Sequence, residues 1–366
     1  MKKNRRTRQI ILATSLMVVC TSNISVAQVN WDYISPRGYV AYKVTQPVVI
    51  DGIPEKAWDN APWSEPFNDI EGAKKPKPRF QTRMKMLWDD KYLYVYAELE
   101  EPHVWAYEKR RDATIFLEND FEMFIKPSAI NPHYAEYEMN ALGTVWDLFF
   151  MRPYRSGANY MVSWDMREML VGVQVNGTIN NPGDTDKGWN VELAFPWNAL
   201  KDLGRKSPVR DGDLWRLNFS RVEWQNIITP EGKYVRKTGS KGETLKEDNW
   251  TWTPMRVVQL HEPEFWGYLQ LSDKTTGASK FQRPEEEPVL QALFYLFRAK
   301  KENMEAKSIK ELIGSDAIRV KGITMKAELQ PSPFGFYILI TNTLNGEKYA
   351  IDDKEVVTKI ENNKAK

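Results

Sequence analysis

TRMKMLWDDKYLYVYAELEEP, residues 82–102, and LENDFEMFIKP, residues 117–127, decide the fold of this chain. The first reads as a β-hairpin, two runs of alternating pattern joined by Trp88-Asp89-Asp90-Lys91-Tyr92. In its second arm Leu93, Val95 and Ala97 fall on one face, with Tyr92, Tyr94, Tyr96 and Glu98 on the other. The second stretch sets Phe121, Met123 and Ile125 opposite Glu122, Phe124 and Lys126. Between Trp88 and Phe124 lie two Trp, four Tyr and three Phe. Aromatics on a pleated surface either build a core or offer flat faces to a flat partner such as a sugar ring.

Working outward, the same period recurs. Tyr137, Met139 and Ala141 oppose Glu136, Glu138 and Asn140. Trp189, Val191, Leu193 and Phe195 alternate with Asn190, Glu192 and Ala194, and Trp215, Leu217 and Phe219 with Arg216, Asn218 and Ser220. Short strands of this kind predict an all-β fold, a two-sheet antiparallel β-sandwich over residues 28–271. Residues 272–288, which contain RPEEEP, read as a polar linker. Residues 289–366 then predict a small α+β appendage: a helix over 289–313, apolar at Leu290, Leu293, Phe294 and Phe297, and three strands. Asn345-Gly346 marks one of its hairpin turns.

The first 27 residues read as an export signal. Lys2, Lys3, Arg5, Arg6 and Arg8 precede an apolar run from Ile10 to Cys20 that is too short for a stable membrane span. Ser25-Val26-Ala27 places cleavage before Gln28. The expected location is periplasmic, cell-surface or secreted in a bacterium; lipidation at Cys20 is disfavoured because Val18-Val19 lacks a small residue before the cysteine. Removing residues 1–27 takes away five bases and no acids, leaving 46 Lys+Arg against 49 Asp+Glu, a net −3 in place of +2. With no basic surface interleaved with aromatics, nucleic acid is not an expected partner. Cys20 is the only cysteine, so the mature chain has no thiol chemistry. Phosphate-loop, dinucleotide and nucleophile-elbow motifs are absent from the sequence.

The order of signals resembles the family 9 carbohydrate-binding modules. The match runs through Val49-Ile50-Asp51-Gly52, Ala57-Trp58, LWDDKYLYVYAEL at 87–99, ENDFEMFIKP at 118–127, GWNVELAFPW at 188–197 and FWGYLQL at 265–271. The resemblance implies a β-sandwich that holds sugars on a concave face, often in the breakdown of plant polysaccharides. In members with a developed site two Trp clamp a sugar ring while an acid, an Arg and amides bond its hydroxyls. Aligned here, the acid falls on Glu122. The first Trp position falls at Leu117, beside Phe116, the second near Leu260, beside His261, and the Arg position on Glu138. The clamp is not reproduced as such, so specificity for a chain end does not carry over.

The candidate ligand-binding residues are therefore Glu122, Glu138 and Asn140 on neighbouring strands, Trp105, Tyr107 and Phe116 at strand ends or in loops, and His261. Trp146, Trp164, Trp224 and Trp250 share the loop or strand-end placement. Against each carboxylate stands a solvated strand acid, and against His261 a rim histidine bonded to backbone. His103, His133 and His261 show no metal-ligand spacing. No cofactor is expected; a structural Ca²⁺ from loop acids such as Asp89, Asp90 or Asp112 stays open. The expected partner is a poly- or oligosaccharide, with a glycoside hydrolase as a further partner. Two other readings stay open: a glycoside hydrolase using Glu122 and Glu138, whose opposed strand positions allow the 5–5.5 Å carboxyl spacing of about that size in retaining enzymes, and a haem or redox relative with an axial Met or His.

Overall fold

The computed structural model describes residues 29–361 apart from 32, 47, 128–130, 158 and 205–207. The expected signal at 1–27, its cleavage point and Cys20 lie outside the described residues.

The strands follow in chain order. The first five are β1 (Val29–Trp31), β2 (Gly38–Lys43), β3 (Asn68–Asp69), β4 (Thr82–Trp88) and β5 (Tyr92–Glu100). Then come β6 (Asp120–Lys126), β7 (Tyr134–Asn140), β8 (Val145–Phe150), β9 (Tyr160–Met161), β10 (Leu170–Asn176) and β11 (Gly188–Pro196). The set closes with β12 (Leu214–Glu223), β13 (Asn226–Ile228), β14 (Tyr234–Arg236), β15 (Asp248–Thr251) and β16 (Gly267–Ser272).

The β4–β5 hairpin forms where the pattern placed it, and its turn has a local cause. Asp89 Oδ1 accepts from the backbone N–H of both Lys91 and Tyr92, each at 2.7 Å, which closes the turn through a side chain. Met84, Met86 and Trp88 of one arm and Leu93, Val95, Ala97 and Leu99 of the other enter the main core. The tyrosines of the opposite face are buried too, under Val48, Trp58 and Ala61. That layer is held by Glu192 of β11, which accepts from the backbone of Asp51 and Gly52 and from Trp58 Nε1. Gly52 is required there: its φ is +88°, and an added Cβ would sit 2.5 Å from the backbone nitrogen of Gln174. The aromatic crowding of the hairpin is therefore core.

The main sheet runs β10-β11-β5-β4-β2-β16-β12-β6-β7-β8-β9, with β15 and β3 branching from β12. It curls on itself, so that its two halves face each other in the expected β-sandwich. Phe195 of β11 meets Tyr137 of β7 edge-on across the core, with centroids 5.4 Å apart. The pairing is mixed rather than wholly antiparallel: β2 lies parallel to both β16 and β4 where the sheet turns from one half to the other.

After β16 the chain from Ser272 to Pro288 packs on the sandwich rather than swinging as a free linker. Phe281 lies against Tyr268, and Glu287 is fully buried beside Arg216. Two helices follow, α1 (Glu287–Glu302) and α2 (Ile309–Ile313), in place of the single expected helix; Asn303 and the turn after it interrupt the run. The last strands are β17 (Ala317–Val320), β18 (Ile323–Ser332), β19 (Gly335–Asn342), β20 (Lys348–Asp352) and β21 (Val357–Ile360). Leu290, Leu293, Phe294 and Phe297 of α1 pack on this sheet as the helical period predicts. The expected unit 28–271 loses its first strand to the second sheet: β1 pairs in parallel with β17 and so covers an edge that would otherwise be unpaired.

Candidate functional site

On the face of β12, β6, β7 and β8 turned away from the main core, side chains stand in register rows. Ser220, Glu122, Glu138 and Trp146 form one row, extended by Thr251 of β15. Asn218, Phe124, Glu136 and Leu148 form the next. The period of two sends Asp120 and Glu122 of β6 to this face, and the β6–β7 register sets Glu138 directly opposite Glu122.

A cleft of about 280 Å³ opens over these rows, with Glu122, Glu136 and Glu138 at its floor. Loops build its walls. The short 3₁₀ turn Ile115–Leu117 brings in Phe116, whose N–H donates to Glu138 Oε2 at 3.0 Å and whose carbonyl accepts from Trp224 Nε1 at 2.9 Å. The Phe116 ring is 38% exposed and stacks on Trp146, against which Tyr160 sits edge-on. Tyr154 and His261 form the other wall. The His261 ring shares a 2.7 Å hydrogen bond with Tyr134 Oη and packs on Phe124, Phe150 and Tyr154. Burial lowers its pKa to about 3, so it is neutral and has no charge to offer a ligand.

The floor is a concentration of carboxyl groups. Asp120, Glu122, Glu136 and Glu138 are all buried. Burial raises Glu122 to about 7. Burial, and after it repulsion from neighbouring carboxylates, holds Asp120, Glu136 and Glu138 well above the ordinary range. The carboxylates of Asp120, Glu122 and Glu138 offer oxygens that lie within 4.8 Å of one another.

Of the residues singled out from the sequence, the fold brings Glu122, Glu138, Phe116 and His261 together at this cleft. It places Trp105, Tyr107 and Asn140 elsewhere. Trp105 is buried among Val222, Trp224 and Tyr234. Tyr107 packs on Trp105 and accepts from the Tyr234 N–H. Asn140 is fully buried: it donates to Glu108 O and Glu118 Oε2 and accepts from Leu142 and Thr144, which holds the β7–β8 turn. Among the four further tryptophans, Trp146 reaches the cleft, Trp164 and Trp250 join the main core, and Trp224 packs with Trp105. Glu136, Tyr154 and Tyr160 were not singled out. Glu136 shares the Glu138 face by period and could have been; the tyrosines sit in loops with no periodic signal. Of the loop acids, Asp89 holds its hairpin turn and Asp90 pairs with Lys43. Asp112 stands with Asp147 and Asp165 around Arg111.

The sequence profile of the family described as "Carbohydrate family 9 binding domain-like" matches residues 50–274. The chain belongs to this family. Endo-1,4-beta-xylanase A of Thermoanaerobacterium saccharolyticum is 22% identical over 218 residues, 58% of this chain and 16% of that protein, so the chain spans a small part of the relative's length. Two solved structures are also similar: a family 9 carbohydrate-binding module from Caldicellulosiruptor kristjanssonii in complex with cellotriose and the same kind of module with glucose. The first is 15% identical with a TM-score of 0.42, and covers 68% of this chain and 100% of its own. The second is 16% identical with a TM-score of 0.41, and covers 67% and 100%. In this family 9 domain the two clamp positions inferred from sequence, Phe116 with Leu117 and Leu260 with His261, fall at or beside the cleft, whose lining includes Phe116, Leu260 and His261. Carbohydrate binding is the function of the family.

Proposed function

We propose that the protein is an exported carbohydrate-binding protein that holds a poly- or oligosaccharide noncovalently in this cleft, in the service of polysaccharide breakdown. One observation carries the reading: partly exposed aromatic rings, Phe116, Tyr154 and Tyr160, stand over a floor of hydrogen-bonding carboxyls. Aromatic faces meet the CH patches of a pyranose, and carboxyl oxygens order its hydroxyls. Family membership supports the ligand class, and the sequence of residues 1–27 supports export. Sugars shed water to gain these contacts, so a weak, micromolar-to-millimolar affinity is expected.

A glycan array probed with the full chain, followed by calorimetry on the best ligand, tests the reading. Binding weakened in Phe116→Ala and kept in a surface control supports it; no binding to any neutral or acidic glycan overturns it. Release of reducing ends that disappears in Glu122→Gln would replace it with the hydrolase reading, and a Soret band in the purified protein with the haem reading.

A further inference from the structure

The floor of the cleft poses an electrostatic problem that a sugar does not solve. Glu122 Oε2 and Asp120 Oδ2 are buried and meet no hydrogen-bond donor. The charges that press on Glu122, Glu136 and Glu138 are other carboxylates. Leaving such oxygens without a partner costs far more than a missing neutral hydrogen bond.

A second observation comes from outside the acidic group. Ser220 is fully buried on the neighbouring strand, in register with Glu122. The Ser220 Oγ meets no partner in hydrogen-bond geometry. Oxygens of three carboxyl groups thus lie close together beneath the cleft, with the buried Ser220 hydroxyl on the neighbouring strand. An occupant suited to this group is positively charged and served by oxygen alone.

We propose that Asp120, Glu122 and Glu138, with Ser220 as a further oxygen donor, hold a divalent cation beneath the cleft. The donor set is hard and contains no nitrogen or sulfur, which selects calcium, magnesium or manganese over zinc or copper. Calcium, with bonds to oxygen of roughly 2.3–2.6 Å, and magnesium, with bonds of roughly 2.0–2.1 Å, both suit carboxylate oxygens that all lie within 4.8 Å of one another. The ion converts mutual repulsion of the acids into a shared attraction, and its remaining coordination positions face the cleft. This site is distinct from Asp112, Asp147 and Asp165, where Arg111 already supplies the positive charge.

Terbium luminescence on the full chain, excited through tryptophan, is the direct test, because Trp146 stands in register beside Glu138. The expected result is saturable emission displaced by calcium, with affinity at least tenfold weaker in Glu122→Gln and in Ser220→Ala by a smaller factor, and unchanged in Asp165→Asn. No saturable emission, or emission lost in Asp165→Asn and retained in Glu122→Gln, overturns the proposal. Thermal melting of the unsubstituted chain and of Asp165→Asn needs no change at the site itself. A melting temperature raised by calcium and returned by chelator in both supports the site, and no response in either overturns it. The outcome is independent of whether a sugar binds.

Discussion

Arg298 of α1 grips Glu264 with two hydrogen bonds, Nε to Oε1 at 3.0 Å and Nη2 to Oε2 at 3.2 Å, across the junction between the C-terminal unit and the sandwich. The same guanidinium donates to Ser156 Oγ at 3.0 Å and pairs with Glu355 of the C-terminal unit. Ser156 follows Tyr154 by two residues, and Glu264 follows His261 by three. One half-buried arginine therefore anchors both loops that build the far wall of the cleft.

Arg298→Met is expected to weaken sugar binding roughly tenfold and to lower stability by about 3–5 kcal/mol, the cost of leaving buried carboxylates unpaired. Arg298→Lys restores the charge without the planar fork, so it recovers stability better than affinity. Calorimetry and thermal melting on the two variants separate these effects. Equal affinity in all three proteins would show that the wall does not depend on the junction.

Phe116 and Trp105 were candidates of the same kind, and the structure separates them. Phe116→Ala removes a partly exposed ring, so glycan affinity should fall roughly five- to tenfold with little change in melting temperature. Trp105→Ala opens a cavity in a buried cluster and should cost about 3–5 kcal/mol of stability. A Trp105 variant that melts normally but fails to bind would reverse the assignment.

The acid cluster sets a pH dependence whose sign follows from proton binding. Burial raises Glu122 from 4.5 to about 7 in the folded chain, so between those values the folded state holds a proton that the unfolded state has released. Stability in chelator therefore falls as pH rises from about 5 to 8, by a few degrees in melting temperature. Asp120, Glu136 and Glu138 shift in the same direction and extend the decline. Glu122→Gln should flatten the slope. A melting temperature that climbs over this range would falsify the account.

Glu192 is a structural counterpart to the acids of the cleft. It accepts from three donors, the backbone N–H groups of Asp51 and Gly52 and the Trp58 indole. Glu192→Ala leaves those donors without their charged acceptor and is expected to cost about 3 kcal/mol. Denaturant melting measures the loss, while glycan affinity per folded molecule should be unchanged.

Strand alternation was enough to name the β-sandwich, because a period of two is local: Phe121, Met123 and Ile125 reach the core whichever strand lies next to them. The same local rule put Glu122 and Glu138 on one face, and the sheet made them direct partners. What surrounds them was not legible. The burial of Tyr92, Tyr94 and Tyr96 depends on residues 48–63 folding over the hairpin, and the cleft wall depends on loops at Phe116, Tyr154 and His261 meeting over β6–β8. Loops carry no period, and these contacts join segments well separated along the chain, so only tertiary packing selects them. Packing also gave β1 to the C-terminal sheet and set Arg298 against Glu264, which made the expected appendage a support for the cleft.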